Sequence, residues 1–121
     1  MSRKNANKRV FDFLKKAGDS INEKREVTHW FYFEKFEDAE RFEKYANDIG
    51  FYTITKQHKA PEYSDNLLLL LGHFEAINED QIDFDTMEFF EIAPKYNGIY
   101  DGWETSFKSE GDDFINKLKE E

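Results

Sequence analysis

The chain contains no cysteine, only two prolines, and no apolar run longer than the five leucines from Leu67 to Leu71. The absence of cysteine excludes disulfides and thiol nucleophiles. Five apolar residues fall far short of the ~20 that a helix needs to cross a bilayer. The N-terminal residues Met1-Ser2-Arg3-Lys4-Asn5 lead into a charged stretch without the apolar core of a signal peptide. The expectation is a soluble, cytoplasmic protein with no membrane partner. No glycine-rich cofactor loop, activated nucleophile or repeated metal-ligand spacing is visible either, so the reading is non-enzymatic, with no catalytic, cofactor-binding or metal-ligating residues.

Basic charge is scarce over most of the chain. Residues 1–26 carry eight Lys/Arg against four Asp/Glu, a net of +4, whereas residues 27–121 carry nine against twenty-two, a net of −13. A body of that charge repels phosphates and attracts basic surfaces. The bland reading is that acidity only keeps the protein in solution.

What is abundant is phenylalanine, with thirteen copies in 121 residues, enough to seed one core in one domain. Three segments follow: a basic helical extension over 1–25, a main domain over 26–108 and a charged tail over 109–121. In residues 4–18 the spacing of Val10, Leu14, Ala17 and Ile21, flanked by Phe11 and Phe13, predicts an amphipathic helix ending at Gly18. It could pack on the domain or dock on a partner.

The main domain alternates between strand and helix periods. Strands are predicted over 27–33, 51–58, 67–76 and 99–107. A helix over 36–49 has Ala39, Phe42, Ala46 and Ile49 as its buried stripe. A second helix starts at Thr86, with Asp85 and Glu88 as a capping box. Its stripe is Phe89, Ile92, Ala93 and Tyr96, with Met87 and Phe90 beside it. Pro94 should kink or shorten its last turn, and Asn97-Gly98 should close it. The order β-α-β-β-α-β predicts an α+β sandwich: a four-stranded antiparallel sheet with two helices on one face, plus the N-terminal helix. The other face stays open unless that helix or a partner covers it.

The most unusual stretch is Tyr100-Asp101-Gly102-Trp103-Glu104-Thr105. An in-strand glycine marks a bulge or a close backbone approach. On a strict period of two, Asp101, Trp103, Thr105 and Phe107 share one face and Tyr100, Gly102, Glu104 and Ser106 the other. That arrangement puts a large aromatic on each side.

This motif, with Val27-Thr28-His29-Trp30-Phe31-Tyr32-Phe33, Ala39, Phe42, Gly50-Phe51 and Gly98-Ile99, resembles the regulator of ribonuclease activity B family. The likeness runs from about residue 10 to residue 107. It implies a ferredoxin-like fold and a small acidic protein that inhibits ribonuclease E, or a related RNA-degradation enzyme, by binding it without catalysis.

Candidate partner contacts are the carboxylates Glu37, Glu40 and Asp48 and the aromatics Trp30 and Tyr32. On the bland reading the carboxylates are a solvated helix surface, interleaved with Arg41 and Lys44, and those of the second helix, including Asp83 and Asp85, also face outward. Trp30, Tyr32, Trp103 and Phe107 could form an aromatic platform on the open face, the arrangement by which RNA-recognition domains stack bases. The leucine-rich third strand lacks the basic and aromatic pattern of such domains, and the −13 body opposes phosphate. A small-molecule or nucleic-acid binding module on that face is the alternative function. His29, His58 and His73 lie on separate strands and read as structural. The pair His29 and Asp101 is a candidate hydrogen bond, because the first and last strands can meet.

Overall fold

The computed structural model describes residues 3–18, 23–58, 67–76, 78–106 and 117–119. The elements are α1 (Arg3–Lys16), β1 (Lys24–Phe33), α2 (Phe36–Asp48), β2 (Tyr52–His58), β3 (Leu67–Ala76), α3 (Glu79–Ile92), a 3-10 turn (Ala93–Tyr96), β4 (Gly98–Ser106) and a short β5 (Lys117–Lys119). The sheet order is β2-β3-β1-β4-β5, and every pairing is antiparallel. The four long strands and two sandwich helices form the expected ferredoxin-like α+β architecture. Within the charged tail expected over 109–121, Lys117–Lys119 is a strand paired with Glu104–Ser106.

β1 and β3 are central, which is why the Leu67–Leu71 run carries leucine on both faces. Phe31, Phe33, Leu69 and Leu71 point into the core, where Ala39, Phe42 and Ala46 of α2 and Phe89 of α3 meet them. The rings interlock edge to face, as aromatic quadrupoles prefer. Phe31 lies 5.0 Å from Phe89 at an interplanar angle of 90°, and 4.7 Å from Phe42. Ile49 falls outside this stripe. It is the residue at which α2 ends, and its side chain is exposed.

α3 begins seven residues before the expected start. Asn78 caps it, accepting a hydrogen bond from the Gln81 amide at 2.9 Å, so Asp85 lies inside the helix rather than at its head. The polar run Glu79-Asp80-Gln81 hides this start from an apolar-period reading. Pro94 acts as expected: the α-helix gives way to the 3-10 turn, and Asn97 then adopts a left-handed φ of 62°. The Asn97 side chain donates to Asp38 at 3.2 Å, tying this turn to α2.

The anticipated bulge lies in β4. Trp30 of β1 faces Gly102, and Phe31 faces Tyr100, so Asp101 is one residue too many. Gly102 has φ 115°, a conformation costly for a residue with a Cβ. The extra residue overturns the period-two expectation: Tyr100, Trp103 and Thr105 all point toward the helices and all are buried.

α1 packs on the helix side of the sheet, next to α3, not on the open face. Phe11 and Leu14 join Val27, Ile82 and Trp103 in a second apolar cluster. Within this cluster Asn7 is buried and fully used. It donates to Asp83 and to Thr86 at 2.9 Å each, and accepts from the Trp103 indole at 2.8 Å. Truncating Trp103 to alanine should cost about 3–5 kcal/mol by chemical denaturation. Trp103→Phe keeps most of the volume but leaves the buried Asn7 oxygen without its donor, and should cost about 1–3 kcal/mol.

Candidate functional site

The six-residue motif is a structural junction more than a surface site. Tyr100 belongs to the main core and Trp103 to the second cluster. The Thr105 hydroxyl donates to the Glu26 carbonyl at 3.2 Å, locking β4 to β1 beyond the bulge. His29 hydrogen-bonds through Nδ1 to the Tyr100 hydroxyl at 2.9 Å, not to Asp101. Its ring is wedged among Phe51, Phe89 and Tyr100. Burial, with a smaller push from His73, holds its pKa down at about 3, so His29 is a neutral core residue.

Two surfaces remain for contact. The first is the open sheet face. Trp30 and Tyr32 lie here, half-buried, among Leu70 and the exposed Tyr52, Ile54, Phe74 and Ile99. Gly72 keeps this face low, since a Cβ there would come within 2.7 Å of both Ile54 and Tyr52. Tyr52 passes over it to donate to Glu26 at 2.8 Å, and burial with that bond pushes the phenol up to about 12. The expected aromatic platform is reduced: Trp103 is on the other side of the sheet, and Phe107 lies outside the described residues.

The second surface is the outside of the helical layer. Glu37, Glu40 and Asp48 are exposed on α2, as expected. Two are engaged locally: Lys56 lies 3.7 Å from Glu40, and Lys44 lies 3.5 Å from Asp48. α3 adds an exposed apolar strip that takes in Met87 and Phe90, expected beside the buried stripe, together with Phe84. Phe84, Met87 and Phe90 are 60%, 45% and 55% exposed. The stripe Phe89, Ile92, Ala93 and Tyr96 is buried or half-buried as expected, and the three exposed residues face away from it. The same phase turns Asp83 and Asp85 inward, against expectation. Asp83 is held by Asn7, while burial lifts Asp85 to about pH 6 against the opposing hydrogen bond from Gln81.

A family model for regulator of ribonuclease activity B matches residues 4–105. The chain belongs to that family. Membership makes it a regulator of ribonuclease activity, in a family that is regulatory rather than catalytic. No curated protein matches the chain. Among the described residues, no helix is long and apolar enough to cross a membrane. In this member of the regulator of ribonuclease activity B family, the run from Tyr100 to Thr105 thus joins α1, β1 and the core through Tyr100, Trp103 and Thr105.

The neutral His29 has a measurable consequence. The unfolded chain gains a proton near pH 6.5, whereas folded His29 resists it down to about pH 3. Its contribution is intact above pH 6.5 and is lost as pH falls through that window, by up to about 1.4 kcal/mol per pH unit. Denaturant titrations from pH 7 to 4 should show a shallower decline for His29→Phe than for the parent. At pH 7 the variant should lose about 1 kcal/mol with its hydrogen bond to Tyr100.

Proposed function

We propose that this protein inhibits an endoribonuclease of the ribonuclease E type by occupying a basic, RNA-binding segment of it, with no catalysis of its own. Family membership over residues 4–105, joined to a −13 charge over residues 27–121, is the observation that carries this reading. An acidic protein that binds where RNA would bind competes by charge complementarity and lowers cleavage by occupancy. The cell compartment that fits is the cytoplasm, where such a target meets RNA.

The helical layer is the favoured contact surface. Carboxylates steer only within about a Debye length, roughly 8 Å at physiological salt. A helix alone is about 10–12 Å across. Glu37, Glu40 and Asp48 are therefore too remote to guide a partner onto Trp30 and Tyr32, on the far side of the sheet. They share their layer with Phe84, Met87 and Phe90, which supply apolar contact next to charge. Trp30 and Tyr32 then form a second, separate contact surface.

Purified ribonuclease E and a fluorescent RNA substrate test the proposal. Inhibition should require about one regulator per enzyme. Glu37→Lys, Glu40→Lys and Asp48→Lys together should slow association roughly tenfold at low ionic strength and flatten its salt dependence. Phe84→Ser with Phe90→Ser should speed dissociation, as loss of anchors does. Inhibition far below one regulator per enzyme, or association blind to salt and to the charge reversals, refutes this mechanism. Loss of binding only with Tyr32→Ser moves the contact to the open sheet face. Direct RNA binding by the purified protein favours the nucleic-acid module instead.

A further inference from the structure

At one end of the core, His73 and Glu75 project from β3 on the same side, two residues apart, toward α3. Asp85 reaches them from α3. One ligand atom from each lies within 4.8 Å of the others. His73 Nδ1 and Glu75 Oε2 are 3.3 Å apart, close but misaligned for a hydrogen bond. Asp85 is only 6% exposed. Its Oδ1 accepts from Gln81 at 3.0 Å, while its Oδ2, like Glu75 Oε1, is buried with no hydrogen-bond partner among the described residues. Arg25 stands opposite Glu75 in the ladder yet leaves that oxygen without a hydrogen bond. Buried carboxylate oxygens facing one another beside an imidazole call for a cation between them.

We propose that His73, Glu75 and Asp85 form a zinc site that clamps β3 to α3, with water as the fourth ligand. One imidazole and two carboxylates suit a borderline divalent ion better than magnesium, which demands octahedral oxygen and keeps its water. Bonds of about 2.0–2.2 Å set tetrahedral edges of about 3.4 Å. The His73–Glu75 separation of 3.3 Å already matches one such edge, and Asp85 closes the others by a small side-chain movement. Gln81, bonded to the far oxygen of Asp85, orients the carboxylate as outer partners of metal ligands do. The ion would fix the part of α3 that carries Phe84.

The test is calorimetric titration of zinc chloride into chelator-stripped full-length protein in a non-coordinating buffer, with thermal melts in parallel. Binding of one zinc per chain, a higher Tm, and a tetrahedral visible spectrum with cobalt(II) are expected. Magnesium at equal concentration should leave Tm unchanged. His73→Gln, Glu75→Gln and Asp85→Asn should each weaken zinc at least tenfold while keeping the parent's circular dichroism. Should Asp85→Asn fail to fold, the other two decide. No saturable zinc uptake overturns the proposal and leaves Arg25 to balance the carboxylates. Parent-like affinity in His73→Gln and Glu75→Gln overturns it too, since the metal then sits elsewhere. An equal Tm shift with magnesium overturns the zinc assignment.

Discussion

One surplus residue in β4 decides how this molecule closes. Were Asp101 paired in a regular ladder, Tyr100 and Trp103 would sit on opposite faces of the sheet, as simple alternation demands. Because Asp101 is bulged out of the ladder, both turn toward the helices and each finds its own cluster. Tyr100 completes the phenylalanine core and hydrogen-bonds His29, while Trp103 fills the space under α1. The left-handed backbone at Gly102 makes the reversal cheap, because no side chain opposes it. A motif that looks like a recognition patch is thus the joint between two halves of the interior.

Charge is distributed in two regimes. Most carboxylates lie on solvated helix surfaces, where each pair contributes little to stability and the whole sets which partners are attracted. A few are drawn inside, and those are met individually: Asp83 by Asn7, and Asp38 by Arg41 at 2.6 Å and by Asn97. The cluster of His73, Glu75 and Asp85 departs from this rule, since two of its oxygens lack a hydrogen-bond partner among the described residues. Native interiors seldom leave such groups unanswered, so the exception is informative.

The architecture was legible because the strands and α2 obey their periods. Leu67–Ala76 read as a central strand and is one, and Ala39, Phe42 and Ala46 read as buried and are. Errors arose where polar residues carried structure. Asn7 organises the second cluster but has no apolar signature. The start of α3 is polar, so the stripe Phe89, Ile92, Ala93 and Tyr96, which is buried or half-buried as expected, does not extend by apolar period back to the inward-facing Asp85. The bulge could be anticipated from Gly102, but its effect on side-chain facing could not be counted without the register. Three histidines on separate strands show no metal-ligand spacing, because the carboxylates near His73 are one two residues away and one on α3.

The bond from Trp103 to Asn7 spans 96 positions of sequence. During synthesis α1 is made before these partners, and its buried face stays incomplete until Ile82 of α3 and then Trp103 of β4 have emerged. For most of translation Phe11 and Leu14 are therefore exposed on a short basic helix, too short to be stable alone. Closure over such distances makes the last step of folding the slow one. It also makes α1 and β4 mutually dependent: a defect in either should be felt at the other, as a failure of completion rather than a local loss.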